Sequence, residues 1–231
     1  MLLIAAVQFV EKFLPPLPAS VVRDLLPSVL MPMVYWQAGR FSTRVNTTFQ
    51  TALQQVDRAL LSRWIRILSK RSLRWMVAAL ELAYLSCYVL VPAGLFVLYL
   101  AGQQHHATEY WSVALLATYP CYLFTAFVPT HPPRTIELNS AATSTGKLRR
   151  FNLWIVRWFS IQLNTFPSAH VTATLGSSLV LLHFVPGIGL VFVLLSVAIA
   201  LGAVLGRYHY TADVLVAAAL SVAVYAGLLL I

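Results

Sequence analysis

The sequence predicts an all-α, polytopic membrane helix bundle with five spans, preceded by N-terminal amphipathic or re-entrant helices. Three observations carry this prediction. Of the 231 residues, 59% are hydrophobic and only 10% charged. A soluble domain runs roughly 45–50% apolar and about 25% charged, so a soluble globule, a disordered chain and a fibrous repeat are excluded. Five apolar runs, each near the ~20 residues that a membrane helix needs, occupy 75–101, 110–128, 169–185, 188–206 and 211–231. The stretches between and before them carry Arg and Trp, the residues of the headgroup layer.

Residues 1–36 are apolar but broken by Pro15, Pro16, Pro18, Pro27 and Pro32, with Arg23 and Asp24 interrupting the second half. This pattern suits interfacial or re-entrant helices better than a full span. The start lacks a basic region ahead of its apolar stretch and has no clean cleavage site, so it reads as retained. Over 47–70, Leu53, Val56, Leu60, Trp64 and Ile67 recur at helical spacing with Arg58, Arg66 and Lys70 on the other side. That is a basic amphipathic helix, lying on the membrane surface or packed on the protein. The expected division is therefore 1–74, interfacial and amphipathic helices, and 75–231, a membrane-embedded bundle. The first two spans are joined by GQQHHATE, and the last three by Pro186-Gly187 and the polar insert 206–210.

The net charge of +9 points to anionic membrane lipids and not to nucleic acid, because the basic residues sit among Trp and Leu beside spans. Cys87 and Cys121 lie inside apolar runs with no CxxC spacing and read as small buried hydrophobes. Counting crossings places Pro129–Thr165 on the same side as the basic 37–74 region, and the insert at 206–210 returns to it. Three polar stretches thus converge on one membrane face: 128–134, 166–170 and 206–213.

His209 and Asp213 are four residues apart, so on a helix they share a face and the carboxylate can fix the imidazole tautomer. The spacing alone serves structure as readily as chemistry. Its position at the mouth of a span favours function, since ionisable groups at membrane depth are costly. In Phe166-Pro167-Ser168-Ala169-His170 a polar loop enters an apolar helix, so Ser168 can cap it and free N–H groups can face an anion, with His170 beside it. Arg134, behind two prolines, is a pre-positioned guanidinium suited to phosphate or to a headgroup.

Together these stretches resemble the type 2 phosphatidic acid phosphatase superfamily. Its P-S-G-H motif is matched by Pro167-Ser168-Ala169-His170, with alanine for glycine. The second half of its S-R-x5-H-x3-D motif is matched by His209 and Asp213, with Arg207 only two residues before the histidine. Its K-x6-R-P motif is absent, and Pro129-Thr-His-Pro-Pro-Arg134 is similar to the P-x-x-P-P-R of inositol phosphorylceramide synthases. His-Tyr-Thr-Ala-Asp is similar to the H-Y-T-x-D of sphingomyelin synthases. The resemblance covers roughly 75–231.

The resemblance implies a lipid phosphate substrate and no cofactor. His209 would be the nucleophile forming a phosphohistidine, Asp213 its orienting acid and His170 the proton donor. Arg134, Arg207 and Ser168 would hold the phosphate oxygens. No metal is implied, and the seven acidic residues are scattered, with only Asp213 in the proposed site. The expected function is a membrane lipid phosphatase acting on a phosphomonoester or pyrophosphate. The alternatives are headgroup transfer to a lipid hydroxyl, a non-catalytic bis-histidine membrane protein that binds haem, and an inactive scaffold.

Glu81, an acid inside a span, is left outside the site because it lies within two turns of Arg74. His105, His106 and His183 read as solvated or interfacial, and His131 has no evident partner. Between 37 and 74 stand eight Lys/Arg against one acid, Asp57, which by the positive-inside rule puts the catalytic face in the cytoplasm. The resembled family usually faces the other way. The oligomeric state is not legible in the sequence.

Overall fold

The computed structural model describes residues 16–42, 44–68, 73–136 and 146–230. Among them are nine α-helices and no strand: α1 (Pro16–Phe41), α2 (Thr47–Leu68), α3 (Arg74–Leu100), α4 (Ala107–Phe127), α5 (Pro133–Ile136), α6 (Lys147–Phe159), α7 (Ala169–Phe184), α8 (Pro186–Leu205) and α9 (Thr211–Leu229). The all-α bundle is as expected. Three helices, α3, α8 and α9, are long and apolar enough to cross a membrane, and α7 is apolar over a shorter 16 residues. Outward faces of α3, α4, α8 and α9 are apolar to match: Phe96, Leu123, Leu194 and Leu215 are each more than half exposed. A belt of that size on a soluble protein would aggregate.

Helix α7 stands at the centre, packed by α3, α4, α8 and α9. Its buried residues are small, among them Ala169, Thr172, Ala173, Gly176 and Ser177, so neighbouring backbones come close. Its polar groups are satisfied locally. The Thr174 hydroxyl donates to the His170 carbonyl at 2.7 Å and the Ser178 hydroxyl to the Thr174 carbonyl at 2.6 Å. Between α3 and α8 the approach is closer still: a Cβ on Gly202 would fall 2.5 Å from the Leu80 carbonyl oxygen.

Helix α1 falls in the segment expected to be interfacial or re-entrant, and it is not among the helices long and apolar enough to cross a membrane. It carries Pro27 and Pro32 without breaking, and it lies along α4 from one end of the bundle to the other. At its start the Trp111 indole donates to the Asp24 carbonyl and the Tyr99 hydroxyl to the Asp24 carboxylate, both at 2.7 Å. At its end the Ser42 hydroxyl donates to the Thr125 carbonyl at 3.2 Å. The run from Asp24 to Ser42 covers about 27 Å at ~1.5 Å per residue, and residues of neighbouring helices pair with its polar groups. Residues 1–15 and Lys70 lie outside the described residues.

The amphipathic helices sit over one end of this bundle. Helix α2 buries Leu53, Asp57 and Leu61 and leaves Val56, Leu60 and Trp64 exposed. The acid therefore belongs to its docking face, and part of the apolar stripe faces outward. Helix α6 buries Arg149, Asn152 and Val156 while Trp154, Trp158 and Phe159 face out. An arginine expected in the headgroup layer is thus turned into the protein.

Candidate active site

The site is built on the return loop between α8 and α9. Helix α8 ends at Leu205 with Gly206 as its cap, and Arg207 takes a left-handed backbone (φ 60°), a conformation that a non-glycine residue holds only when its surroundings over-determine it. Here they do. The Arg207 carbonyl accepts the Arg134 N–H at 2.9 Å, and the N–H groups of Tyr208 and His209 both donate to the Ala203 carbonyl, at 2.9 and 3.0 Å. Helix α9 then starts at Thr211, so His209 precedes the helix while Asp213 lies in its first turn. One Asp213 oxygen accepts the Tyr210 N–H at 2.9 Å and lies 3.3 Å from His209 Nδ1. The pairing expected from the four-residue spacing is therefore present, with the histidine held just outside the helix.

The three stretches meet. Besides the Arg134 to Arg207 bond, the Ser168 N–H donates to the Asp213 carbonyl at 3.1 Å. His170, in the first turn of α7, lies edge-on to His209 with ring centres 5.9 Å apart. The Arg134 guanidinium is anchored by donating to the Tyr208 carbonyl at 3.3 Å. Burial, and after it the Arg134 charge, lower His209 from the usual imidazole range to about 3, against the pull of the Thr165 carbonyl. The ring is therefore neutral at ordinary pH, with Nδ1 turned to the carboxylate and Nε2 as the remaining nitrogen.

Two of the expected phosphate ligands behave differently. Arg207 is buried, and its guanidinium donates to Asp57 at 2.6 Å; the other Asp57 oxygen accepts the Thr211 N–H at 2.8 Å. Arg207 is therefore tied to α2 and does not line the cavity beside the histidines. Ser168 makes no side-chain cap; the Thr165 hydroxyl accepts the Ala169 N–H at 3.3 Å instead. The Ser168 hydroxyl is buried with no partner, which is costly unless a ligand supplies one.

Glu81 is the largest addition to the sequence-based picture. It does not reach out towards Arg74. It is buried, and it accepts Arg149 at 2.9 Å, Asn152 at 2.6 Å and the Tyr208 hydroxyl at 2.6 Å. Arg149 also donates to the Gly206 carbonyl at 2.6 Å and lies 4.6 Å from the Tyr208 ring centre. Tyr84 stacks on the other side of that ring at 3.8 Å. Tyr208 is thus clamped on both faces and at its hydroxyl, one residue before His209. The available signals were that Glu81 is the only Asp, Glu, Lys or Arg between 75 and 101 and Asp57 the only acid between 37 and 74.

His170, His209 and Arg134 line one end of a cavity of about 710 Å³ that continues between α1 and α3 under α6. Its walls are largely apolar and aromatic, including Met31, Trp36, Tyr88, Trp154 and Phe159. Pro32 and Pro92 also face it. Among the described residues no three His, Cys, Asp or Glu side chains group as metal ligands.

The family model of the PAP2 superfamily matches residues 51–227, more than three quarters of the chain. The chain belongs to the PAP2 superfamily. The match takes in all six expected site residues as well as Asp57, Glu81 and Arg149, and leaves the whole of α1 outside it. No curated protein and no solved structure matches the chain. Membership of the PAP2 superfamily gives the coarse activity, phosphatase-type chemistry on a phosphate ester, and the apolar helices place that chemistry in an integral membrane protein.

Proposed function

We propose that this PAP2-superfamily protein cleaves the phosphate ester of a membrane lipid through a phosphohistidine on His209. The observation that carries the reading is the joining of two chemistries in one cavity. A histidine pair and a guanidinium line one end, and an apolar chamber continues into the bundle. A lipid's phosphate and chain require that combination, whereas a water-soluble phosphate ester makes no use of the chamber.

In this reading His209 Nε2 attacks phosphorus, and Asp213 holds the opposite nitrogen and balances the charge that develops on the ring. Arg134 stabilises the equatorial oxygens. His170 gives its proton to the leaving lipid oxygen as the P–O bond breaks. It then takes a proton from the incoming hydroxyl as the N–P bond breaks. The bound phosphate's negative charge itself favours protonation of His170, so proton uptake accompanies binding. Arg207 acts from behind, by fixing the loop through Asp57. A bis-histidine haem site gains no support, since Asp213 and Arg134 flank His209.

The test is a rapid-quench search for an acid-labile, base-stable phosphoenzyme with a labelled lipid phosphate. Wild type is expected to form it, and His209→Ala to form none. His170→Ala should form it slowly, because it lacks only the acid. Label retained by folded His209→Ala would sink the assignment.

A further inference from the structure

Helix α6 touches both the apolar chamber and the loop that carries His209. Its 13 residues span about 20 Å at ~1.5 Å per residue. Near its start, the buried Arg149 donates to the Glu81 carboxylate at 2.9 Å and to the Gly206 carbonyl at 2.6 Å, with its guanidinium 4.6 Å from the Tyr208 ring centre. Asn152, one turn on, donates to the Glu81 oxygen that also accepts the Tyr208 hydroxyl, both at 2.6 Å. Gly206 and Tyr208 flank the left-handed Arg207, and Tyr208 precedes His209. The place of His209 is therefore fixed against α6 as well as by the turn between α8 and α9.

The other end of α6 is fastened to a wall of the chamber. Gln162 takes a left-handed backbone (φ 59°), and its side-chain amide donates to the Val156 carbonyl at 2.7 Å, closing the helix. From α1, the Trp36 indole donates to the Phe159 carbonyl at 3.0 Å. The Tyr35 hydroxyl pairs with the Ser160 hydroxyl at 2.9 Å and accepts the Ile161 N–H at 3.1 Å. Gly39 admits Ile161 so closely that a Cβ there would fall 2.5 Å from its side chain. Tyr35, Trp36, Trp154 and Phe159 all line the chamber.

We infer that Arg149 is a positioning residue for His209, and that α6 makes the nucleophile's position depend on the chain that fills the chamber. The inference rests on the proposed function above and deepens it: the lipid chain supplies rate as well as affinity. A chain seated against Trp154 and Phe159 bears on the end of a closed helix whose start holds Gly206 and Tyr208. The helix transmits that contact as a rigid body. Binding energy from a non-reacting part of the substrate raises kcat when it is spent on placing the reacting groups, and a misplacement of about 1 Å can cost about 10²-fold.

The test compares steady-state turnover of a short-chain and a long-chain alkyl phosphate in the same detergent micelles. The readout is the ratio of kcat for the long chain to kcat for the short one, which cancels any loss of folded enzyme. Wild type is expected to show a ratio of about 10–10². Arg149→Lys keeps a positive charge beside Glu81 but has no plane to lie against Tyr208. It should lower long-chain kcat by about 10²-fold and bring the ratio near one, while KM still falls with chain length because the chain is still buried. Tyr35→Phe/Trp36→Phe unties α6 from α1 and leaves every bond of the loop intact. It should lower the ratio several-fold, and it decides the matter should Arg149→Lys fold poorly. A wild-type ratio near one, no turnover of either phosphate, or the wild-type ratio kept in either folded variant would overturn the inference. The expected ratios without any phosphoenzyme in the wild type would leave the coupling standing and remove the phosphohistidine. A phosphoenzyme formed equally fast with both chains would do the reverse.

Discussion

Glu81→Gln tests whether the cluster beneath the site is energetically real. The substitution keeps size and removes charge, leaving Arg149, 3% exposed, with no counter-charge. Removing one partner of a buried ion pair costs about 3–5 kcal/mol. The glutamine oxygen still accepts one of the three donors, the Tyr208 hydroxyl or Asn152, so the loss should fall near the lower end, about 3 kcal/mol. Arg149→Met should cost a similar ~3 kcal/mol, because it strands the carboxylate and frees the Gly206 carbonyl. With both charges gone, the double variant Glu81→Gln/Arg149→Met should lose only about 3–4 kcal/mol in place of the ~6 kcal/mol sum, a coupling of about 2–3 kcal/mol, as expected for groups in contact. Unfolding by a denaturing detergent in mixed micelles, followed by tryptophan fluorescence, measures each value. Additivity within about 0.5 kcal/mol, or a neutral Glu81→Gln, would refute the reasoning.

Further outcomes follow from the same geometry. Arg134→Gln removes the cavity-lining guanidinium and should lower kcat about 10²–10³-fold without changing the unfolding midpoint by more than a degree or two; an active variant would displace Arg134 from the phosphate. His209 is held neutral down to about pH 3, whereas in the unfolded chain it protonates near its ordinary pKa of ~6.5. The unfolded state thus binds more protons between these values. Stability should fall as the pH drops through this window, by up to about 1.4 kcal/mol per unit for this group. His209→Gln should flatten the acid limb by that slope, and an unchanged slope would mean that the ring titrates normally. Asp57→Asn removes the carboxylate paired with Arg207 and should destabilise by about 3 kcal/mol, with Asp57→Leu/Arg207→Met recovering much of it; a thermal melt in detergent decides. Finally, the positive-inside count leads to the expectation of a cytoplasmic site face. Gly146→Cys in a background lacking Cys87 and Cys121 should then resist an impermeant thiol reagent in intact cells, and labelling would reverse the orientation.

What was legible in the sequence was what local windows carry. The apolar runs appear as α3, α4, α7, α8 and α9 because hydrophobic length is a property of consecutive residues. The meeting of 128–134, 166–170 and 206–213 follows from crossing parity alone. The partners of the buried charges were not legible, since Glu81 and Arg149 are 68 residues apart and Asp57 and Arg207 are 150 apart. Either acid, read alone, looks like a misplaced or snorkelling charge. The partners of Asp24 in α1 were hidden for the same reason, since Tyr99 and Trp111 lie 75 and 87 residues away. Ser168 was given a cap that Thr165 makes, because sequence spacing cannot choose between two hydroxyls near one helix start.

The two buried ion pairs also impose an order on biogenesis. A chain is made from its N-terminus at about 5–20 residues per second. Glu81 therefore exists for roughly 3–14 s before Arg149, 68 residues on, has been synthesised. During that interval the acid has no partner arginine, and the cost stays below the ~2.5–3.5 kcal/mol of a charge at a helix centre because Glu81 lies in the first third of α3. Asp57 waits longer, for an arginine 150 residues downstream. Each nascent helix is thus left incomplete until a later one arrives, and the last hairpin, α8 and α9, brings both Arg207 and Tyr208 to acids already in place. A chain halted before that hairpin holds two buried carboxylates without their full set of partners, a lesion that membrane quality control can recognise.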